Sequence, residues 1–156
     1  MSGGKRGKQR LSARQQIRER LAAEVGTLIK DAPYPVALAY PSPYHVGMSS
    51  LGMQTIYREL NQHEGVCAHR AFLPDDVATA LAERQPWITY EAMRPVAHYP
   101  LVAFSVAYEL ELAGVIQCLQ LAGIAPLAAE RDVRDPFVLG GGPLTFSNPL
   151  PLAPFV

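Results

Sequence analysis

Three short stretches of this sequence set hydroxyls, an aromatic ring or bare glycine backbone where a ligand can reach them. The first is residues 41–52, PSPYHVGMSSLG. Proline and glycine there let the backbone come close to a bound molecule. Ser49 and Ser50 precede a helical pattern, where amide groups and the helix dipole favour anions. Pro41, Ser42, Tyr44 and Ser49 are the candidate contacts, with Tyr44 offering a ring to stack on a flat ligand. The competing reading is a stiff strand-to-helix turn with a serine cap. The second stretch is residues 105–111, SVAYELE. Ser105 and Tyr108 can point into a crevice, while Glu109 and Glu111 read as helix-start residues that complement the dipole. The third is Gly140, Gly141, Gly142 and Pro143, followed by Thr145, Ser147 and Asn148. Three glycines after a strand would let a planar ligand lie on bare backbone. The Lys-Ser/Thr of a P-loop is missing, and the spacing is not GxGxxG, so nicotinamide binding has no motif behind it. No nucleophile–base pair or carboxylate dyad stands out for acid–base catalysis.

These loops need elements to position them. Ile17, Leu21, Val25, Leu28 and Ile29 recur at helical spacing, which predicts an amphipathic leader helix over residues 11–30 with Ser12 as N-cap. Pro33 and Pro35 end it. Val36, Ala37, Leu38, Ala39 and Tyr40 form a continuous apolar run, the pattern of a parallel strand buried on both faces. A helix capped by Ser49 or Ser50 runs to about residue 62, with Leu51, Ile56, Tyr57 and Leu60 facing inward. A second strand is expected over residues 66–73, then a short helix capped by Asp75 or Asp76 and ending near Arg84. Residues 87–99 read as an excursion or small hairpin. A third strand covers residues 101–106, and a helix covers residues 109–122 with Gly123 as its stop. Phe137, Val138 and Leu139 form a fourth strand. Strand and helix thus alternate at βαβ length. The expected fold is α/β: a Rossmann-like or flavodoxin-like open, mostly parallel sheet with helices on both faces, plus an N-terminal leader helix. Ligands in such sheets bind outside the carboxyl ends of the strands, where strand order reverses. The organisation reads as a basic tail and leader over residues 1–32 and an α/β domain over residues 33–156.

Composition sets the bounds. The chain has 156 residues, 49% of them apolar, enough for one domain with a real core. No apolar run approaches the roughly 20 residues that cross a bilayer, and no apolar segment of a secretory signal follows the basic start. The expected compartment is the cytoplasm. Net charge is zero, yet residues 1–30 carry +6 and the remainder −6. Residues 5–30 can therefore meet RNA or another acidic surface; a solvated leader is the plainer reading. Cys67 and Cys118 are far apart and have no CxxC partner, so no metal site is expected. Of the four histidines only His45 falls in a strand-end loop, and a lone histidine is read as a hydrogen-bonded structural residue.

Four blocks together resemble a family. ALAYPSPYHVGMSSLGMQTIYRELN, AFLPDD, AFSVAYELELAGVIQCLQLAGI and PLAAERDVRDPFVLGGGPLTFSNPLPLAPFV, in that order, are similar to the N-terminal cobalamin-binding-like domain of uncharacterised radical-SAM proteins, over about residues 34–156. The resemblance implies a Rossmann-like domain that presents cobalamin to a radical-SAM barrel, with a corrinoid over Ser105 and Gly140 to Pro143. Three departures stand out. In the Asp-x-His-x-x-Gly fingerprint of histidine-ligated cobalamin, Pro43 replaces Asp and Met48 replaces Gly, so His45 does not qualify as a cobalt ligand. The CxxxCxxC signature is absent, which leaves the [4Fe–4S] cluster and S-adenosylmethionine to a region outside this chain. A fifth strand would begin around residues 153–156, so the chain reads as truncated before the barrel, which would be supplied in cis or in trans. Two other readings stay open: a flavodoxin-like nucleotide- or flavin-binding domain with phosphate at Ser49 and Ser50, and a non-catalytic interaction module.

Overall fold

The computed structural model describes residues 11–156. Four parallel strands, β1 (Tyr34–Pro43), β2 (Val66–Leu73), β3 (Leu101–Ser105) and β4 (Phe137–Gly141), form one sheet in the order β2-β1-β3-β4. The helices are α1 (Ala13–Ala23), α2 (Tyr44–Gly47), α3 (Leu51–Gln62), α4 (Val77–Ala82), α5 (Leu112–Ala122) and α6 (Pro143–Ser147). The expected α/β class is the one found. β1 lies inside the sheet with apolar residues on both faces, which is why its run shows no polar alternation. Ala37 and Ala39 pack with Val102, Phe104, Val115 and Leu119 on the α5 side. Leu38 and Tyr40 pack with Ile17, Met53, Tyr57 and Phe72 on the α1 and α3 side. The α5 backbone approaches the end of β1 closely: a Cβ on Gly114 would lie 2.0 Å from the Pro41 carbonyl oxygen. Only glycine fits there.

Local signals set several boundaries. Ser12 and Gln15 make a reciprocal capping box on α1, satisfying two otherwise orphaned N–H groups. Ser50, not Ser49, caps α3 by accepting the Met53 N–H. Asp76 caps α4, and Gly123 ends α5 at φ +72°. Residues 87–99 form the small excursion, pinned by an antiparallel bridge between Ile88 and Pro95.

Four expectations are corrected. The leader helix stops at Ala23, because Glu24 turns extended and Gly26 takes φ +85°; Val25, Leu28 and Ile29 are consequently exposed. β1 continues through Pro41, Ser42 and Pro43, with a register shift before Pro43 meets Leu73. The inward stripe of α3 is Met53, Tyr57 and Asn61, while Leu51 and Ile56 are exposed. Residues 153–155 form a 3₁₀ turn instead of starting a fifth strand. Arg131 holds that turn by donating to the carbonyls of Ala125, Pro126 and Phe155.

The two sheet edges differ. On the outer edge of β2, Asn61 pairs with both backbone groups of Ala68, the Tyr90 N–H donates to the Arg70 carbonyl, and the Trp87 indole donates to the Phe72 carbonyl. β4, the opposite edge, has no such cover among the described residues. Its Phe137 is 82% and Leu139 56% exposed.

Arg70, in the middle of β2, is buried at 1% exposure. Its Nε donates to Glu91 at 2.6 Å and its Nη2 to Glu24 at 2.7 Å. The Arg70 backbone N–H donates to the other Glu91 oxygen, also at 2.6 Å. Nη1 meets the Met48 sulfur at 3.0 Å, and the guanidinium lies over the Tyr57 ring. Burial works against the charge, but Glu91 and Glu24 outweigh it, so the guanidinium pKa stands above its ordinary value. On the other face of β2, His69 Nε2 meets the Lys30 carbonyl, which only accepts, so that nitrogen carries the proton. Nδ1 shares a hydrogen bond with the Tyr99 hydroxyl at 2.7 Å. Removing one member of a buried ion pair strands the other charge. Glu91→Ala is therefore expected to lower stability by about 3–5 kcal/mol in urea unfolding. Gly114→Ala, which drives a Cβ into backbone, is expected to cost about 1–3 kcal/mol in the same assay.

Candidate functional site

Strand order reverses between β1 and β3, since β2 lies on one side of β1 and β3 on the other. The crevice outside their carboxyl ends is the place where this architecture takes ligands. Ala39 of β1 is in register with Phe104 of β3, the last pair between these strands, so residues 40–42 and 105–108 run on side by side beyond it. Ser105 is in turn in register with Gly141 of β4.

Of the residues singled out in the sequence, Ser42, Ser105, Tyr108, Gly141 and Gly142 come together at this edge. The Ser42 hydroxyl donates to Glu111 Oε1 at 3.5 Å. Ser105 is buried at the end of β3, and Tyr108 is 46% exposed beyond it. The three glycines have separate surroundings. A Cβ on Gly140 would lie 2.6 Å from Leu152, so the chain's own C-terminal turn covers it. Gly142 has φ +107° and backs onto the Val106 backbone, where a Cβ would sit 2.5 Å from the carbonyl oxygen. Gly141 alone has open space in front of it. The bare platform is thus one residue wide instead of three. Pro143 opens α6, where its missing N–H is no loss.

The others lie elsewhere. Pro41 is closed over by Gly114 of α5. Ser49 turns its hydroxyl back to the Val46 carbonyl. Tyr44 was expected to stack on a flat ligand, but its ring belongs to the packing. It stacks on Tyr90 at 5.3 Å and 2°, meets Phe72 edge-on, and carries the Arg20 guanidinium above it. Its hydroxyl donates to Glu24 at 2.8 Å; burial first, and then Glu24, push that hydroxyl up to about 12. His45 is exposed on α2.

Glu111 escaped the sequence reading, which gave it only a dipole role. It is 3% exposed. Its Oε2 accepts the Ala107 N–H at 2.6 Å, while Oε1 takes the Ser42 hydroxyl. Burial, followed by the adjacent Glu111, raises the Tyr40 hydroxyl to about 12. The signal in the sequence was the second glutamate of YELE, set where the helix begins to turn inward.

A cleft of about 490 Å³ lies apart from this crevice, at the end of β2 beneath α1. Ile17, Leu73 and Trp87 line it. At its wall Arg20 is spent on Asp75 and Tyr90, and the Trp87 indole on the Phe72 carbonyl. Of the basic leader, Lys30 is likewise engaged, donating to the carbonyls of Asn61 and His63. Residues 5–10 fall outside the described part. Cys67 and Cys118 are buried thiols whose pKa burial raises, and no group of three or more His, Cys, Asp or Glu side chains converges as a metal site among the described residues.

The two inner glycines can be told apart by substitution. Gly142→Ala meets both a strained φ and the Val106 carbonyl, and should cost about 1–3 kcal/mol in thermal unfolding. Gly141→Ala should stay within about 0.5 kcal/mol of the parent.

No curated protein and no solved structure matches the chain. Residues 52–156, two thirds of the sequence, match a family model described as radical SAM proteins, N-terminal. The matched stretch runs from α3 to the last residue and carries β3, β4, Glu111 and the glycine loop. With this parallel α/β frame beneath it, the chain belongs to the family of radical SAM N-terminal regions.

Proposed function

We propose that this chain is an accessory module of a radical-SAM protein that holds a flat-ring cofactor, a corrinoid, or gates substrate at the β1/β3 crevice, beside a catalytic barrel supplied by another part of the protein or by a separate chain. The observation that carries this reading is the grouping of Ser42, Ser105 and Tyr108 at the β1/β3 crevice, with the open face of Gly141 on the adjoining β4, in a chain of this family. Gly141 lets a ring edge come against backbone. Tyr108 supplies an exposed ring, with Ser42, turned toward Glu111, and the buried Ser105 behind it. When bound, a corrinoid brings a cobalt centre; the work of this chain is to orient it and to exclude water from its inner face. The donor set does not suit a [4Fe–4S] cluster that binds S-adenosylmethionine, because that needs three converging thiolates and this chain has two buried cysteines. Cluster chemistry is assigned to the barrel.

Titration of the purified chain with hydroxocobalamin, followed by visible absorbance, is expected to give a saturable shift. Gly141→Leu, which fills the open face, is expected to weaken binding at least tenfold with the fold intact. Absence of any shift at millimolar corrinoid would remove the cofactor role. Saturable quenching of flavin mononucleotide fluorescence in its place would favour the nucleotide-binding alternative.

A further inference from the structure

We infer that Glu111 is the positioning residue of the crevice, the group that holds the exit of β1 and the exit of β3 in one fixed relation. The ligand-binding half of this inference rests on the function proposed above; the positioning half does not.

Glu111 ends the 3₁₀ turn Glu109–Glu111 just before α5, and its carboxylate points back to chain laid down earlier. One oxygen takes the Ala107 N–H at 2.6 Å, in the loop that leaves β3. The other faces the Ser42 hydroxyl near the end of β1 at 3.5 Å, a long contact, and the carboxylate stands beside the Tyr40 hydroxyl. At 3% exposure it is shielded from water, and none of the ion pairs among the described residues includes it. A buried carboxylate without a cation needs several good donors to persist. Here the short donor comes from the loop that leaves β3 and the longer one from β1, the two sides of the crevice. From the third position of the turn Glu109–Glu111 a glutamate commonly reaches back to the N-cap N–H; Glu111 reaches one residue further, to Ala107, and turns its second oxygen toward Ser42 of β1. Ser42 and the 105–108 segment therefore move as one unit, and Gly142, backed onto Val106, is tied into it.

Three variants test this. Glu111→Ala is expected to raise the amide hydrogen-exchange rate of Ala107 at least tenfold and to bring the Tyr40 ionisation, read by NMR of ring-labelled tyrosine, down from about 12. Glu111→Gln should restore Ala107 protection to within threefold, since its amide oxygen can take that N–H and its NH₂ can donate to the hydroxyls. Should Glu111→Ala not fold, Glu111→Asp withdraws the carboxylate by one methylene and is read the same way. Unchanged Ala107 exchange and Tyr40 ionisation in Glu111→Ala, or in Glu111→Asp, would overturn the inference. The same variants are titrated with hydroxocobalamin, where Glu111→Ala should lose at least tenfold in affinity and Glu111→Gln should recover it. Equal affinity of the Ala variant and the parent overturns the ligand-positioning half. A parent that binds no corrinoid overturns the proposed function, while the exchange data still decide the role of Glu111.

Discussion

A full positive charge in the middle of β2 is the constraint around which this face of the molecule is arranged. A buried guanidinium is tolerated only when opposite charge and hydrogen-bond acceptors surround it. Arg70 obtains Glu24 from the segment after α1 and Glu91 from the excursion before β3. Each carboxylate is then tied further: Glu24 accepts from Tyr44 and Thr27, and Glu91 from the Arg70 backbone. Two irregular segments are thereby tied by charge to the sheet. The leader is thus part of the domain's energetics, although the sequence sets it off by charge.

The crevice is built on a different principle. Around Arg70, charge meets charge; around Glu111, a lone carboxylate is held by neutral donors from β1 and from the loop after β3. The first arrangement fastens the outer half of the sheet, and the second fixes the edge where strand order reverses. Gly114 adds a steric limit, because α5 already touches the Pro41 carbonyl and cannot approach β1 further. Freedom at the crevice is left to Tyr108 and to the open side of Gly141.

Much of this frame was legible from local signals that act over a few residues. The bounds of β2, the Ser12 cap, the Gly123 stop and the α/β alternation all follow from apolar runs, capping chemistry and glycine. What escaped depends on partners distant in sequence. Val25, Leu28 and Ile29 keep helical spacing, but Glu24 leaves the helix to reach Arg70, 46 residues on. Asn61 faces inward because its amide satisfies the backbone of Ala68 on a strand edge, a gain that a hydrophobic pattern does not register. Tyr44 sits in the right loop for a ligand and spends its ring on Tyr90. The charge inside VCAHRAFL was the available hint, since an arginine in a strand buried on both faces requires acids from elsewhere. The three glycines read as a platform because sequence reports the missing side chains and not what fills their places.

The uneven edges of the sheet have a consequence for how it can grow. β2 has spent its outward backbone groups on side chains and on the excursion, so extension on that side is blocked. Among the described residues β4 has no partner on its outer edge, and the segment FVLGG carries no charge, proline or bulge of the kind that discourages pairing. Direction then limits what may join it. A strand continuing the parallel order must return through a crossover of a dozen or more residues, an antiparallel one needs only a tight hairpin, and a strand from another chain is free of both requirements.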